Sequence, residues 1–319
     1  MNVVVFGATG KIGRELIRYI CRNDQSINIT AVGYRKTFTF LDGMEYQSVD
    51  ISKKENFSVL PEQTDAIINL AASVTTRVNS SDTDAYIAAN IIGEANILQY
   101  ALRAGADRII YAQTYNDVFG HERSQIIINP DDARKRIYTG EAALYTITKN
   151  CAVDLQNYYQ NQYGLKSFVL RLPTVYCVTR SPYYMVGGEQ KIRPFRKMMM
   201  QASYSEPIEI WGNPDRVMDM VYVEDCCQLF FKALISNVNG GIYNVGTGIG
   251  TSIVDQVKGM IEVFSPKGRP SPIIYCPEKR SGPSYIMNID GAREELGYEP
   301  KYTYLDMLKE FKRKLAELE

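Results

Sequence analysis

Histidine is almost absent from this chain of 319 residues: His121 is the only one. Cysteine is scarce in any useful pattern, since its six copies show no C-x-x-C and only Cys226 and Cys227 are neighbours. That leaves no ligand set for a structural zinc ion, and no metal is expected. The scattered thiols read as reduced, as in a cytosolic protein. No apolar run approaches the roughly 18 residues that a membrane span needs. The chain opens on a strand-like run with no charged leader or small-residue cleavage site, which predicts a cytoplasmic protein and no membrane partner. Neither sign of charge is in excess, with Lys plus Arg and Asp plus Glu at 36 each, so nothing points to nucleic acid. The hydrophobic and charged shares, 45% and 23%, are those of a soluble globular protein. The length suits one large domain or two modest ones.

What is present begins at once. Val3-Val4-Val5-Phe6 is a short apolar run, and Gly7-Ala8-Thr9-Gly10-Lys11-Ile12-Gly13 follows it directly. This reads as a buried strand entering a glycine-rich turn that opens a helix over 14–21. Gly7 permits the turn, Gly10 lets backbone approach a pyrophosphate, and Gly13 lets the helix lie against the strand. The helix start offers free N–H groups to a phosphate. A dinucleotide is the first candidate ligand.

Further strands are expected at 27–32, 66–71, 108–112, 167–172, 217–222 and 242–245, with helices over 82–104 and 141–162. This alternation predicts an α/β fold with a doubly wound parallel sheet of the Rossmann type. Ligands would then bind along the carboxyl ends of the strands. After Pro173 the texture changes. Residues 177–215 are rich in loop signals, among them Gly187-Gly188, and hold a basic helix over 192–202 whose Met198-Met199-Met200 run reads as packing. Residues 266–283 read as a proline-rich loop, and 304–318 as a charged amphipathic helix covering a small C-terminal lobe.

Tyr145 and Lys149 stand four apart in the helix expected over 141–162, so they share one face. A lysine ammonium beside a phenol favours the phenolate, which suits acid/base work near neutral pH. The lysine can also hold a ribose. A second Tyr-x-x-x-Lys, Tyr275 to Lys279, contains Pro277 and is no helix. At the carboxyl end of the strand over 108–112 comes Gln113-Thr114-Tyr115-Asn116-Asp117. Thr114 is the hydroxyl expected to meet a substrate oxygen beside Tyr145, although a shifted gap puts Tyr115 there. A turn threonine that caps its own backbone is the plainer alternative.

Together these features resemble the extended short-chain dehydrogenase/reductase family, in its NAD(P)-dependent sugar-nucleotide epimerase/dehydratase branch. The resemblance runs through the glycine motif, Val49-Asp50-Ile51, Asn69-Leu70-Ala71-Ala72, Asn90-Ile91-Ile92-Gly93 with Asn96 and Leu98, and the pair Tyr145 and Lys149. It continues through Arg171-Leu172-Pro173-Thr174-Val175-Tyr176, Asp219-Met220-Val221-Tyr222-Val223-Glu224-Asp225, Gly241 to Gly246 and Glu295 to Pro300. It implies a Rossmann domain over 1–172 with 217–246 returning to it, and a substrate lobe from 173–216 and 247–319.

The resemblance also implies hydride transfer between a nicotinamide and a nucleotide-activated sugar. Tyr145 would be the acid/base, Lys149 would depress its pKa, and Thr114 would polarise the carbonyl. The cofactor would meet Gly7, Thr9, Gly10, Lys11, Ile12, Gly13, Asp50, Ile51, Leu70, Ala71, Ala72, Asn90 and Pro173 as well as the catalytic pair. The second strand runs into Gly33-Tyr34-Arg35-Lys36 with no carboxylate for a ribose 2′-hydroxyl, so Arg35 and Lys36 favour NADP, with NAD as the alternative. Substrate would meet Tyr115, Thr174, Arg216 and Arg280, the arginines holding a diphosphate. Met218 stands where the family's first phosphate arginine is usual. Dehydratases of this branch carry Thr-Asp-Glu where this chain has Thr114-Tyr115-Asn116-Asp117, so epimerase or ketoreductase is expected over dehydratase. The rival readings are a non-catalytic NADP(H) sensor and a reductase of a small non-nucleotide carbonyl. A homodimer through the helices over 82–104 and 141–162 is implied.

Overall fold

Val3, Val4, Val5 and Phe6 are all buried in the first strand, β1 (Asn2–Phe6). Successive side chains of a strand point to opposite faces, so a run that is apolar at every position needs cover on both. Val3 and Val5 join one apolar cluster, and Val4 and Phe6 join another. The computed structural model describes residues 1–38, 44–75, 78–119, 126–135, 138–186 and 189–318. His121, Gly187 and Gly188 lie outside the described residues.

β1 sits inside a seven-stranded sheet with β2 (Asn28–Gly33), β3 (Glu45–Ser48), β4 (Ala66–Asn69), β5 (Arg108–Thr114), β6 (Lys166–Leu172) and β7 (Gly240–Asn244). The order is β7-β6-β5-β4-β1-β2-β3 and every pairing is parallel. This is the doubly wound Rossmann sheet that the alternation predicts, and its strand order turns back between β1 and β4. A crevice opens there, above the carboxyl ends of both strands.

Helices cover both faces. α1 (Lys11–Asn23) presents Leu16, Ile17 and Ile20 to the face that carries Val3 and Val5. On the other face Ile97, Leu98 and Ala101 of α2 (Gly93–Arg103) meet Val4 and Phe6. α3 (Ala143–Tyr163) lies beside α2 and sets Ala152 and Val153 against Tyr111 and Val169. The helix expected over 82–104 is not uniform: Thr83–Ile87 is α-helical, Ala88–Ile92 is a π turn, and α2 follows. α4 (Val223–Ile235) joins the core beside α1, where Arg22 and Glu224 pair at 2.6 Å.

A second sheet lies beyond the carboxyl end of β5, where its Tyr285 packs on Tyr115 with ring centroids 4.7 Å apart. Its order is Gly250–Ser252, Val217–Asp219, Tyr285–Met287 and Ile126–Ile128. The strand expected over 217–222 therefore breaks. Val217–Asp219 stays in this sheet, whereas Val221–Tyr222 pairs with Val175–Tyr176. Asp219 fixes the break, its buried carboxylate accepting Thr247 N–H at 2.8 Å, the Thr247 hydroxyl at 2.7 Å, Gly248 N–H at 3.0 Å and Met287 N–H at 3.2 Å. Residues 266–283 are not all loop, because Ile273–Cys276 pairs in parallel with Ile208–Trp211. In the methionine run Met199 is buried and Met198 packs on the core, while Met200 is exposed. The six cysteines are unpaired. Among the described residues no helix is long and apolar enough to cross a membrane.

One backbone contact sets the geometry of the first turn. A Cβ on Gly13 would lie 2.5 Å from the Gly7 carbonyl oxygen and 2.9 Å from Ala8 Cα. Both are backbone atoms that no rotamer change relieves. Gly13→Ala is expected to destabilise the fold by about 1–3 kcal/mol, the usual cost of overpacking, read from the midpoint of urea unfolding.

Candidate active site

The crevice is a cavity of about 800 Å³. Its floor is the end of β1, the glycine turn and the first turn of α1. Gly7 has φ +78°, and a Cβ there would come within 2.6 Å of the Leu70 carbonyl carbon, so this backbone can pass the β4 loop only as glycine. Gly10 caps α1 without a side-chain hydrogen bond and the first turn carries no acidic residue. The helix start therefore keeps its N–H groups and positive end for an anion. Gly7, Thr9, Gly10, Lys11, Ile12 and Gly13 all line the cavity.

The walls come from the other strand ends. Asp50 and Ile51 lie beyond β3, and the Asp50 carboxylate accepts Ser52 N–H at 3.0 Å and the Ser52 hydroxyl at 2.7 Å. Leu70, Ala71 and Ala72 follow β4, Thr114 and Tyr115 follow β5, and Pro173 and Thr174 follow β6. Tyr145 and Lys149 of α3 complete the lining. The structure thus gathers the glycine turn, the proposed catalytic set and two of the four proposed substrate residues around one space.

Five residues named from sequence stand elsewhere. Gly33 and Tyr34 line the cavity, but Arg35 and Lys36 do not, and the Arg35 guanidinium lies 5.8 Å from the centroid of the Phe38 ring. Asn90 is buried behind the wall, where its side chain accepts Ser73 N–H at 2.8 Å and donates to Ser73 O at 3.1 Å and to Thr148 Oγ1 at 3.0 Å. It braces the β4 loop against α3 because both ends of its amide are committed. Arg216 and Arg280 are also outside the lining. Arg280 is exposed, whereas Arg216 is half-buried and donates to Pro283 O at 3.1 Å. Arg216 Nε is buried with no hydrogen-bond partner among the described residues. Arg193, ahead of the helix Pro194–Ser203, lines the cavity instead.

Thr114 does two things. Its hydroxyl accepts Asn116 N–H at 3.3 Å, the self-capping turn, and its side chain lies beside the Tyr145 phenol on the cavity wall. Burial pushes that phenol up to about 12; the neighbouring Thr114 pulls it down, and Tyr86 and Asp117 push it further up. The expected depression by Lys149 is therefore not what sets this group. Lys149 Nζ lies 3.8 Å from the centroid of the Tyr111 ring, on the inner side of α3. Burial drives Lys149 down from the usual lysine range and Glu94 opposes that, while burial drives Glu94 up and Lys149 opposes it. Sequence reasoning missed Glu94. Its signal is a carboxylate on the same face of α2 as Ile97, Leu98 and Ala101.

Asp117 has no freedom to act on a ligand. Arg171 donates its Nε to the Asp117 oxygens at 2.9 and 3.2 Å, and its Nη1 to Asn129 O, Pro130 O and Asn244 Oδ1. Both side chains are about 1–2% exposed. Asp117→Ala would strand a buried guanidinium, and a loss of about 3–5 kcal/mol in urea unfolding is expected.

A family model described as the NAD dependent epimerase/dehydratase family matches residues 3–246. The Low-salt glycan biosynthesis protein Agl12 of Haloferax volcanii is 26% identical over 317 residues, covering 97% of this chain and 96% of that protein. A dTDP-glucose 4,6-dehydratase of Haemophilus influenzae is 24% identical over 336 residues, covering 95% and 94%. Among solved structures, a UDP-glucose 4-epimerase from Thermotoga maritima with UDP-glucose superposes with a TM-score of 0.79 at 24% identity, covering 99% of this chain and 100% of that one. A UDP-glucuronic acid 4-epimerase from Bacillus cereus in complex with NAD gives 0.75 at 19% identity, covering 100% and 99%.

Proposed function

The chain belongs to the NAD dependent epimerase/dehydratase family, and from that premise we propose that it is an epimerase or 4-ketoreductase of a nucleotide-activated sugar. The observation that carries this reading is the Tyr145 phenol standing with Thr114 and Lys149 on the wall of the cavity that the glycine turn floors. When bound there, a nicotinamide supplies the hydride acceptor and donor. Tyr145 takes or returns the hydroxyl proton of the sugar, Thr114 orients the oxygen, and Lys149 holds the ribose. Asp117 is locked to Arg171, which leaves no carboxylate of this turn to drive water loss and disfavours the dehydratase reading. Arg193 in the lining favours an anionic nucleotide portion over a small neutral carbonyl.

The test is a panel of UDP- and dTDP-sugars with their 4-keto forms, following reduced-cofactor absorbance and product identity together. An epimerase interconverts sugars with no net cofactor turnover, and a ketoreductase consumes reduced cofactor. Tyr145→Phe should lose about 100-fold or more, the scale of general acid/base catalysis. Cofactor binding without conversion of any sugar would favour the sensor reading.

For the cofactor, the carboxylate-free end of β2 supports NADP, and the placement of Arg35 against Phe38 supports NAD. Calorimetry separates them. If Arg35 holds a 2′-phosphate, Arg35→Ala weakens NADP by about tenfold, one charge-assisted hydrogen bond, and leaves NAD unchanged. For a Rossmann domain over 1–172 and 217–246 beside a substrate lobe, the return of β7 to the sheet supports the division, and the pairing of 126–128 and 217–219 with strands of the proposed lobe speaks against those bounds. A homodimer would cover Ile87, Ile92 and Leu102 beside Ile147 and Tyr158, which are exposed on the helices over 83–103 and on α3.

A further inference from the structure

Glu94 is 1% exposed and lies at the start of α2, directly after the π turn Ala88–Ile92. A carboxyl so buried is costly unless its oxygens are bonded and its charge is balanced. Both oxygens are bonded. Asn69 Nδ2 donates to Oε2 at 2.6 Å and Gln156 Nε2 donates to Oε1 at 2.5 Å. Neither amide can be turned round without loss, because Asn69 Oδ1 accepts Ala71 N–H at 2.9 Å and Gln156 Oε1 accepts the Ser167 hydroxyl. Two amides aimed as donors at the two oxygens of one carboxyl make a socket for the ionised form, which accepts and does not donate.

The opposing charge comes from α3 and acts across the interior rather than through a contact, since no ion pair within 4.0 Å joins Lys149 to Glu94. Lys149 is 3% exposed, and Tyr145, Lys149 and Gln156 follow one another at four and seven residues along one face of that helix. The ionisable groups that face Lys149 are Glu94 from α2 and Tyr111 from β5, and Tyr145 and Cys151 of its own helix face Tyr111. Tyr86 and Asp117 face Tyr145. Tyr111 is a phenol held neutral by burial, and Asp117 is paired with Arg171. Glu94 is the carboxylate left to balance the ammonium.

We infer that Glu94 is a positioning residue that keeps Lys149 protonated inside the cavity wall, with Asn69 and Gln156 holding its carboxylate in place. The inference rests on the reading of Tyr145 and Lys149 as the catalytic pair. Its test needs no substrate and so fails independently of that reading.

The measurement is trace acetylation by acetic anhydride across a pH series, with the Lys149 peptide quantified by mass spectrometry. Only the neutral amine reacts, and Lys149 lines the cavity through which reagent enters. Glu94→Gln is expected to lower the pH of half-reactivity at Lys149 by about one unit or more, since burial then acts unopposed. The swap Glu94→Gln with Gln156→Glu restores a carboxylate across the same hydrogen bond and should bring the midpoint back. Local loosening of the wall would expose Lys149 and move its midpoint the other way, so an upward shift overturns the inference. An unchanged midpoint in a Glu94→Gln variant that melts like the parent overturns it too, as does a swap that fails to restore. A Tyr145→Phe variant that still interconverts sugars would sink the catalytic reading and leave the Lys149 titration untouched.

Discussion

The structure hangs on backbone packed against backbone where β1 meets α1. The Gly7 carbonyl lies where a Gly13 side chain would begin, and the Gly7 Cα lies where any side chain would strike Leu70. These two approaches bring the helix start down to the level of the strand ends and hold the β4 loop beside it. The cavity is what remains above that junction. Its width, the direction of the free N–H groups and the position of Ala71 and Ala72 all follow from the absence of two methyl groups.

Below the cavity wall the polar groups are joined rather than scattered. Asn69 ties the β4 loop to Glu94, Gln156 ties Glu94 to α3, and Ser167 ties Gln156 to β6. Asn90 makes the parallel link from the same loop to Thr148. Each link closes on backbone or on a side chain already fixed elsewhere. A buried network satisfied in this way gives α3 a single depth and rotation, which is what Tyr145 and Lys149 need to face one space.

Six of the seven Rossmann strands were legible because they carry apolar runs between helical stretches, whereas β3 reads Glu-Tyr-Gln-Ser, is not buried, and was not expected. The second sheet was not legible. Ile126–Ile128 and Gly250–Ser252 have three residues each, too few to show a period, and Ile273–Cys276 is hidden among prolines. α4 is buried nearly all round, so it carries no amphipathic stripe to read. In the site, the four-residue spacing placed Tyr145 and Lys149 on one face correctly, but it cannot say which neighbour receives the ammonium. That is decided by Tyr111 and Glu94, which are distant in sequence and are brought near by the sheet. Arg35 is similar: its charge was visible, and its turn toward Phe38 was not.

The second sheet takes its four strands from 126–128, 217–219, 250–252 and 285–287, and its side chains share one apolar cluster with β1 and α1. A ribosome must therefore deliver nearly the whole polypeptide before that layer can close. Until then Ile128 lacks Met287, its partner across the sheet, and the half-built molecule presents apolar surface to its surroundings. Cutting the chain between the two sheets would not free two independent bodies, because the interior they enclose is one.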